Sequence, residues 1–538
     1  MKKILTSVMA CACLVGFSAC DSFLDEAPKS QLTSNSYYLS EAHAQQNVNY
    51  LYRTGAPTYF GTAQGGYLSS RASLNSILTG YFLNEYEGQE TTCQYARELT
   101  RQSQVQTISG SMDGIWDASY RAINVANNAI LHIPEIDMDA KKKATLVAEA
   151  QFFRAWNYFY LVKTFGAVPF YTEPSSVDNM LLERTPVEQI YPTIEADLKA
   201  AVENLPAEMF YDNSCRITKY AAAMLLTEVY MFEQKYSDAA TYAKMVISSP
   251  HKLTEHAEAI TAANYEDTKM GSAWNQIRTT DGLAESIYSY EFTAGISSSG
   301  WWTCSAFDGD FYKAGSKVIK YSITERTCGP YARFLNIYEA NDMRVQPNQF
   351  FHWTYNYEAA DPANNWTWNR DPKNGPGCWF YFDENAMFNT GVGDQDPDFF
   401  RYAEALLYGA EAIVAAGNAV TDEAAGYLAQ IKARANMEGK TAATIATELK
   451  TLSATEFIEE CWRERLREFP LEHKIWDDCL RTGKFPNISE TEKGVITYVN
   501  LVGAKNGSGA TFQESDLLWP ISVNEIQRNP SLTQNKGY

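Results

Sequence analysis

Beyond its first 20 residues, the 538-residue sequence lacks any apolar run that could cross a membrane. A spanning helix needs about 20 consecutive apolar residues, and no later stretch approaches that length. The sequence also lacks a nucleophile elbow, an HExxH pair, a P-loop and a dinucleotide-binding fingerprint. The commonest enzyme signatures are therefore absent, and the function has to be inferred from other residues.

Cysteine is scarce and scattered after residue 20. The seven cysteines of this part are Cys93, Cys215, Cys304, Cys328, Cys378, Cys461 and Cys479. An odd number without a CxxC pair argues against both a disulfide scaffold and a zinc site. We therefore expect free or partly paired buried thiols, and we predict neither a bound metal nor a cofactor.

Positive charge is also in deficit. The chain has 45 basic and 65 acidic residues, and loss of the two leading lysines would leave 43 basic residues and a formal charge of -22. Such a surface argues against nucleic acids and other polyanions as ligands. A neutral or cationic ligand is easier to accommodate.

The first twenty residues have the layout of a bacterial lipoprotein signal. Lys2 and Lys3 precede an apolar stretch, and two small residues come directly before Cys20. We predict that residues 1–19 are removed, that Cys20 is lipidated, and that residues 20–36 form a polar tether to a single body at 37–538. Lipidation would hold this body at a membrane without spanning it. Ordinary secretion with an incidental cysteine is the alternative.

Apolar residues at helical spacing predict an all-α scaffold. Phe152, Trp156, Phe159 and Tyr160 recur at i, i+4, i+7 and i+8, and further aromatic residues make this helix apolar almost all round. Such a helix should lie buried between neighbours and end at Gly166.

Residues 216–250 fit the tetratricopeptide pattern of two helices joined by a turn. Tyr230, Tyr236 and Ala239 lie close to the positions that this repeat of about 34 residues fills with tyrosine and alanine. Similar pairs are predicted at 145–205 and 400–436, with a fourth set of helices near 455–482.

Residues 270–395 have a different character. They are rich in Gly, Asn, Asp, Pro and aromatic residues and show no sustained helical period. We predict a loop-rich insertion with short strands. Loops held on a rigid scaffold often carry binding residues, so we expect the ligand-binding region here.

Eight segments, in this order, match a known family. They are "CDSFLDEAPKSQLT", "WDASYRAINVANNAI", "AEAQFFRAWNYFYLVKTFGAVPF", "RITKYAAAMLLTEVYMFEQKYSDA", "YEANDMR", "RYAEALLYGAEA", "RERLREFPLEHKIWDDCLRTG" and "LLWPISVNEIQRNPSLTQNKGY". The chain resembles the SusD/RagB family, the lipid-anchored glycan-binding partners of TonB-dependent outer-membrane transporters in Bacteroidetes. The matching segments run almost from end to end.

The resemblance implies four tetratricopeptide-like pairs that carry a ligand surface. It implies a non-catalytic protein that is anchored in the outer membrane, faces the cell exterior and binds oligosaccharides. It also implies a SusC-like TonB-dependent transporter as partner, which the protein would cover as a lid. Because ligand residues in this family vary with substrate, no binding residue is carried over.

Three aromatic stretches could bind a sugar, which needs flat rings for its C–H faces and polar groups for its hydroxyls. In the first, Trp301 and Trp302 lie in a Ser/Gly-rich loop beside Asp308. They are the first candidates, because so small-residue-rich a loop has little with which to bury an indole. The third stretch, residues 83–97, offers Tyr86.

The second stretch, residues 353–368, reads as a β-hairpin. Trp353, Tyr355 and Tyr357 alternate, as do Trp366 and Trp368 after a Pro/Asn-rich turn, so their rings should share one face. We expect this face to pack on the scaffold more readily than on a sugar. Trp353 and Trp366 stay as second-rank ligand candidates.

Two charged segments have ordinary explanations. Asp394, Asp396 and Asp398 imitate the first half of a calcium loop, but Phe399 stands where its glycine belongs, so a solvated helix lead-in is favoured. The charged residues of 464–474 are expected to pair between helices.

Two other functions stay open. A helical-barrel glycoside hydrolase would also be α-rich and lined with aromatic residues, and its carboxylate pair cannot be excluded by counting acids. A tetratricopeptide scaffold that binds only peptides or proteins is the second alternative.

Overall fold

The computed structural model describes residues 38–57, 71–88, 91–293, 295–296, 306–320 and 326–538. Within them the chain is mainly helical, and its short strands form antiparallel two-stranded sheets. The predicted all-α class is therefore confirmed. The predicted signal segment, Cys20 and the tether lie outside the described residues.

The helices vary from one turn to seven or more turns in length. In chain order they are α1 (Glu41–Thr54), α2 (Arg71–Leu78), α3 (Thr91–Arg97), α4 (Val105–His132), α5 (Ala140–Phe165), α6 (Val187–Asn204), α7 (Lys219–Phe232), α8 (Tyr236–Ile247), α9 (Tyr265–Thr268), α10 (Ala273–Thr279), α11 (Gly309–Gly315), α12 (Tyr402–Gly417), α13 (Asp422–Ala435), α14 (Ala442–Leu449), α15 (Ala454–Glu468), α16 (Ile475–Thr482) and α17 (Val523–Arg528). Among the described residues, none of these helices is long and apolar enough to span a bilayer.

The strands pair locally. They are β1 (Phe82–Leu83), β2 (Ser286–Ser289), β3 (Gly329–Pro330), β4 (Phe351–His352), β5 (Thr354–Tyr357), β6 (Trp366–Asn369), β7 (Gly377–Cys378), β8 (Asp398–Arg401), β9 (Lys484–Ile488) and β10 (Ile496–Asn500). The pairs are β1 with β3, β2 with β8, β4 with β7, β5 with β6 and β9 with β10.

Consecutive helices pack together at three of the predicted places: α5 against α6, α7 against α8, and α12 against α13. Neighbouring pairs are joined because α6 also packs on α7 and α8 packs on α12. The fourth predicted region is helical as well. There α15 packs against α12 and α13, whereas α16 packs against α2 and β9.

Helix α5 is buried as its sequence predicts. Phe152, Phe159 and Phe165 are fully buried, and Trp156 is nearly so. The helix ends at Gly166, whose positive φ of 73° is a conformation that glycine adopts at no steric cost.

The insertion is closed at its base by strands from its two ends. Strand β2 pairs with β8, so the chain leaves the helical scaffold and returns to it at one place. Between these strands the described chain consists mainly of short helices, turns and strands of two or four residues, which confirms the predicted irregular structure.

A buried ionic cluster joins the insertion to the helices. Glu468, at the end of α15, accepts hydrogen bonds from Arg344, Arg401 and Arg434 at 3.1, 3.2 and 2.6 Å. Arg401 and Arg434 also bind Glu285, and they hold the pKa of its carboxyl below the ordinary value although burial alone would raise it. The expectation that the charged run pairs between helices is confirmed.

Four of the cysteines are free thiols, as expected. Cys378, Cys461 and Cys479 are buried, and Cys215 is half-buried. Burial raises the pKa of the Cys378 thiol to about 12, so that thiol stays protonated. Cys304 lies outside the described residues.

Candidate ligand-binding face

The second aromatic stretch forms the predicted hairpin. Strands β5 and β6 pair so that Tyr355 lies opposite Trp368 and Tyr357 opposite Trp366. Since alternate residues of a strand point to the same side, these four rings share one face. The residues between them, such as Thr354 and Thr367, are exposed.

This face packs on rings from the helix and turns beneath it. Phe311 of α11 meets the Trp366 ring edge to face, with ring centres 5.0 Å apart, and Phe388 lies 4.7 Å from Tyr357. Gly315 allows the approach, because a Cβ there would come within 2.5 Å of Trp366 Cζ2. The four rings therefore form a supporting wall, which confirms the packing interpretation for them.

Trp366 also presents part of its ring to solvent. Its indole N–H is buried and has no hydrogen-bond acceptor among the described residues. A buried donor without a partner is unusual in a native protein. Whether Trp366 also contacts a ligand stays a prediction.

Asp308 lies at the foot of this wall and is only 8% exposed. It is the N-cap of α11, where its Oδ1 accepts hydrogen bonds from the backbone N–H groups of Asp310 and Phe311 at 3.1 and 2.9 Å. The same oxygen accepts a hydrogen bond from the indole of Trp368 at 3.1 Å, and Oδ2 binds Arg370. Its carboxylate is thus engaged within the protein, and a contact with ligand stays a prediction.

Arg370 connects the hairpin with Asp308 and with Glu85 of the third stretch. It follows β6 directly, and its guanidinium binds Asp308 on one side and Glu85 at 2.5 Å on the other. Glu85 also accepts a hydrogen bond from Arg326 at 2.9 Å. Glu85 is the neighbour of Tyr86, so a single ionic network joins Asp308, the hairpin and the segment that carries Tyr86.

The sequence reasoning missed Glu85, Arg326 and Arg370. Arg370 comes two residues after the last ring of the hairpin, a position from which a side chain can reach the hairpin's edge. Glu85 and Arg326 gave no such signal, because Glu85 meets the two arginines only through the tertiary fold.

The remaining candidates lie around this network. Trp353 is half-buried at the bend before β5, and its carbonyl accepts a hydrogen bond from the Arg370 N–H at 2.8 Å. Tyr86 is half-buried, and its N–H donates to Asn84 Oδ1 at 2.8 Å. Trp301 and Trp302 lie outside the described residues.

A buried histidine lies behind the hairpin. His352 packs on Phe307 with ring centres 4.7 Å apart. Burial, and then the charges of Arg278, Arg370 and Arg326, lower the pKa of His352 to about 3. Its imidazole is therefore neutral at physiological pH.

The acidic segment at 394–398 leads into a sheet and ends with the first residue of a strand. Asp398 opens β8 and accepts a hydrogen bond from Ser286 of the paired strand β2. The expectation of a solvated helix lead-in is therefore wrong, because a strand precedes α12. Burial raises the pKa of Asp398 to about 8. In the described part of the chain, no group of three or more His, Cys, Asp or Glu residues is arranged to hold a metal ion.

Two family models together match nearly the whole chain. Residues 22–231 match the model described as "Starch-binding associating with outer membrane". Residues 232–538 match the model of the SusD family. The chain belongs to the SusD family. The resemblance seen in its sequence motifs is thereby confirmed.

Curated relatives of this SusD-family chain cover much or all of its length. SusD-like protein P2 of Formosa agariphila is 25% identical over 564 residues, covering 100% of both chains. The starch-binding protein SusD of Bacteroides thetaiotaomicron is 25% identical over 445 residues, covering 73% of this chain and 72% of its own.

Solved structures share the fold. A SusD superfamily protein from Parabacteroides distasonis has a TM-score of 0.76 and 26% identity, covering 94% of this chain and 100% of its own. Surface glycan-binding protein A of Bacteroides thetaiotaomicron, solved with laminarihexaose, has a TM-score of 0.66 and 18% identity, covering 93% and 100%. At that identity the second structure establishes the fold alone. Membership of the SusD family supports carbohydrate binding and association with the outer membrane.

Proposed function

We propose that this SusD-family protein captures oligosaccharides at the cell surface, leaves them chemically unchanged, and delivers them to a SusC-like TonB-dependent transporter. The observation that carries the proposal is the ionic network of Glu85, Arg370 and Asp308, which joins the aromatic hairpin to the segment that carries Tyr86 and to the start of α11. A sugar site needs such rings together with fixed polar groups.

The relatives support the same class of ligand. Starch is in the name of one curated relative, and laminarihexaose is bound in one solved neighbour. For this chain we propose an oligosaccharide without naming its sugar. The excess of acidic residues favours a neutral or cationic glycan over a polyanionic one.

We assign roles to the candidate residues from their positions. Trp301 and Trp302 are the proposed main platform, and Trp353 and Tyr86 are additional stacking rings beside the network. Trp366 belongs to the wall and is a further candidate for ligand contact through the part of its ring that is open to solvent. Asp308 acts mainly by holding Arg370 and α11 in place, because its carboxylate is engaged by the protein.

The proposed location follows from the N-terminal segment. Lipidation of Cys20 would anchor the body in the outer membrane through acyl chains, with the ligand face towards the cell exterior. A tether of residues 20–36 would let the body move over the transporter while it stays attached.

Calorimetric titration of the protein lacking residues 1–20 with a panel of oligosaccharides tests the proposal. We expect binding without product formation, and roughly fivefold weaker affinity for Trp353→Ala, since a stacked ring contributes about 1 kcal/mol. The double substitution Trp301→Ala/Trp302→Ala should weaken the oligosaccharide affinity further. Tyr50→Ala, which removes a 42% exposed ring on α1, is the matched control and should bind as the wild type does.

Other outcomes would support the alternatives. Release of shorter sugars would favour a glycoside hydrolase. Binding of peptides with no binding of any glycan would favour a peptide-binding scaffold.

A further inference from the structure

An exposed loop between α5 and α6 carries three aliphatic side chains that point into solvent. Val177, Met180 and Leu181 are 86%, 66% and 57% exposed. Single exposed aliphatic residues are ordinary on a protein surface, but three within five positions form a patch. Such patches in soluble proteins commonly mark contacts with a partner.

The loop is held to helix α4 by two asparagines. Asn127 Nδ2 donates to the carbonyl of Glu173 at 2.8 Å, and Asn124 Oδ1 accepts from the N–H of Ser175 at 2.8 Å. The two asparagines are three residues apart on a helix, so they lie on the same face. They fix the segment that leads into the patch.

Further contacts fix the loop internally and at its end. Asn179 Oδ1 accepts from the N–H of Ser176 at 2.8 Å, and Asn179 Nδ2 donates to the carbonyl of Pro174 at 2.9 Å. Asn529, near the C-terminus, donates to the carbonyl of Leu182 at 2.8 Å. The three aliphatic side chains are therefore displayed on an ordered backbone, which reduces the entropy lost when a partner binds.

The loop lies on α4, and the first residue of the described chain, Tyr38, packs on the same helix. The Tyr38 ring stacks on His132 at the end of α4, with ring centres 4.9 Å apart. Asn124 stands eight residues earlier on that helix, or about 12 Å at 1.5 Å per residue. The described chain therefore enters the body on the same helix as the loop, so the proposed tether from Cys20 would leave the body on this side.

Acidic residues surround the patch. Glu173, Asp178 and Glu183 are all exposed within the same loop. Negative charges would be repelled by the anionic surface of a membrane. They suit a protein surface with basic side chains around an apolar pocket, because complementary charges guide association.

We propose that residues 172–183 form a docking loop that inserts Val177, Met180 and Leu181 into an apolar pocket with a basic rim on the extracellular side of the transporter. This inference rests on the proposed function, which supplies the transporter as partner. It assigns the contact to a surface separate from the ligand face, whose network is formed by Glu85, Arg370 and Asp308.

The test uses the full-length, lipidated chain with a C-terminal tag, purified from its outer membrane in mild detergent. The TonB-dependent transporter that accompanies it is identified and quantified by mass spectrometry. Val177→Ser/Met180→Ser/Leu181→Ser removes the patch. Val495→Ser/Val499→Ser/Val502→Ser is the matched control, since these valines are 42%, 39% and 44% exposed on another surface.

We expect at least roughly tenfold less transporter with the patch variant and an unchanged amount with the control variant, since loss of about 1.4 kcal/mol gives that factor. Asp178→Lys should also reduce recovery. Oligosaccharide affinity should be the same in the wild type, the patch variant, the control variant and Asp178→Lys. An unchanged recovery with the patch variant overturns the docking loop while the proposed function stands.

Two further results would count against the proposal. If the wild-type chain brings no transporter although it binds glycan, delivery to a transporter fails and the docking loop fails with it. A second measurement uses vesicles of mixed phosphatidylcholine and phosphatidylglycerol with the protein lacking residues 1–20. Flotation that depends on the patch, with transporter recovery independent of it, would assign the loop to the membrane and overturn the proposal.

Discussion

Arg370 and Asp308 form a buried ion pair that joins the end of the aromatic hairpin to the N-terminus of the helix beneath it. The same guanidinium binds Glu85, beside Tyr86. One side chain therefore sets the relative positions of three segments that are distant in sequence. The geometry of the candidate ligand face depends on this arginine.

Replacing Arg370 with alanine should destabilise the protein and weaken ligand binding together. Removal of one partner from a buried ion pair leaves an uncompensated charge, which costs about 3–5 kcal/mol. Urea titration measures the free energy of unfolding, and calorimetry measures the affinity. Lys313→Ala removes an exposed pair with Asp310 on the same helix and should change neither. Wild-type stability in the Arg370 variant would mean that the pair does not organise this face.

Trp366 of the wall and Trp353, a proposed stacking ring, should respond differently to replacement by alanine. Trp366→Ala removes a ring that packs on Phe311 and should lower the free energy of unfolding by about 2–4 kcal/mol. Trp353→Ala should leave that free energy nearly unchanged and weaken oligosaccharide binding roughly fivefold. Both quantities are measured on both variants. If instead Trp366→Ala weakened binding at unchanged stability and Trp353→Ala lowered the stability, Trp353 would belong to the wall and Trp366 would contact the ligand.

A methyl group at Gly315 should disturb the packing under the hairpin. Its Cβ would lie 2.5 Å from both Trp366 Cζ2 and Ile319 Cδ1, so Gly315→Ala should cost about 1–3 kcal/mol in free energy of unfolding. Gly426, inside α13, has nothing within 4 Å of an added Cβ. Gly426→Ala should therefore stabilise the protein by roughly 0.5–1 kcal/mol, because alanine favours the helix. Equal effects of the two substitutions would argue against close packing at Gly315.

Asp396 and Asp398 should contribute stability that is lost as the pH rises from about 4 to about 8. Burial and the neighbouring Glu291 carboxylate raise the pKa of Asp396 far above its ordinary value, and burial raises the pKa of Asp398 to about 8. The folded chain then holds protons that the unfolded chain has lost above pH ~4, so folding is favoured at low pH and less so above it.

Asp396→Asn isolates this contribution. Asparagine stays neutral at every pH, so between pH 5 and pH 8 the variant should lose less stability, or gain more, than the wild type. Melting temperatures measured at several pH values give the comparison. Parallel curves for the two proteins would show that Asp396 does not hold a proton in the folded state.

The sequence predicted the main elements of this fold well. The apolar period of α5 gave its burial and its end at Gly166, and the alternation at 353–368 gave the hairpin with its rings on one face. These patterns succeed because the geometry of a helix or a strand decides which side chains share a face. The acidic segment before α12 was predicted wrongly, because the pairing of β8 with β2 depends on a strand more than 100 positions away.

The candidate site was predicted only in part. Local sequence identified the aromatic stretches, but not that Glu85, Arg326 and Arg370 would connect them. Nor could it decide which rings form the wall. The depth at which Trp366 and Trp368 are buried depends on Phe311 and Gly315, which belong to a different element.

By itself, the sequence determined the helical scaffold, the family and the hairpin, because each is encoded in the spacing of neighbouring residues or in motifs in a fixed order. Only the tertiary structure decided that the hairpin's rings pack inward and that Arg370 joins Asp308 to Glu85. Arg370 and Glu85 are 285 positions apart, and no local spacing determines whether two such charges meet. Their pairing follows from the packing of the whole insertion on the helices, which buries the Arg370 guanidinium and brings the Glu85 carboxylate within its reach.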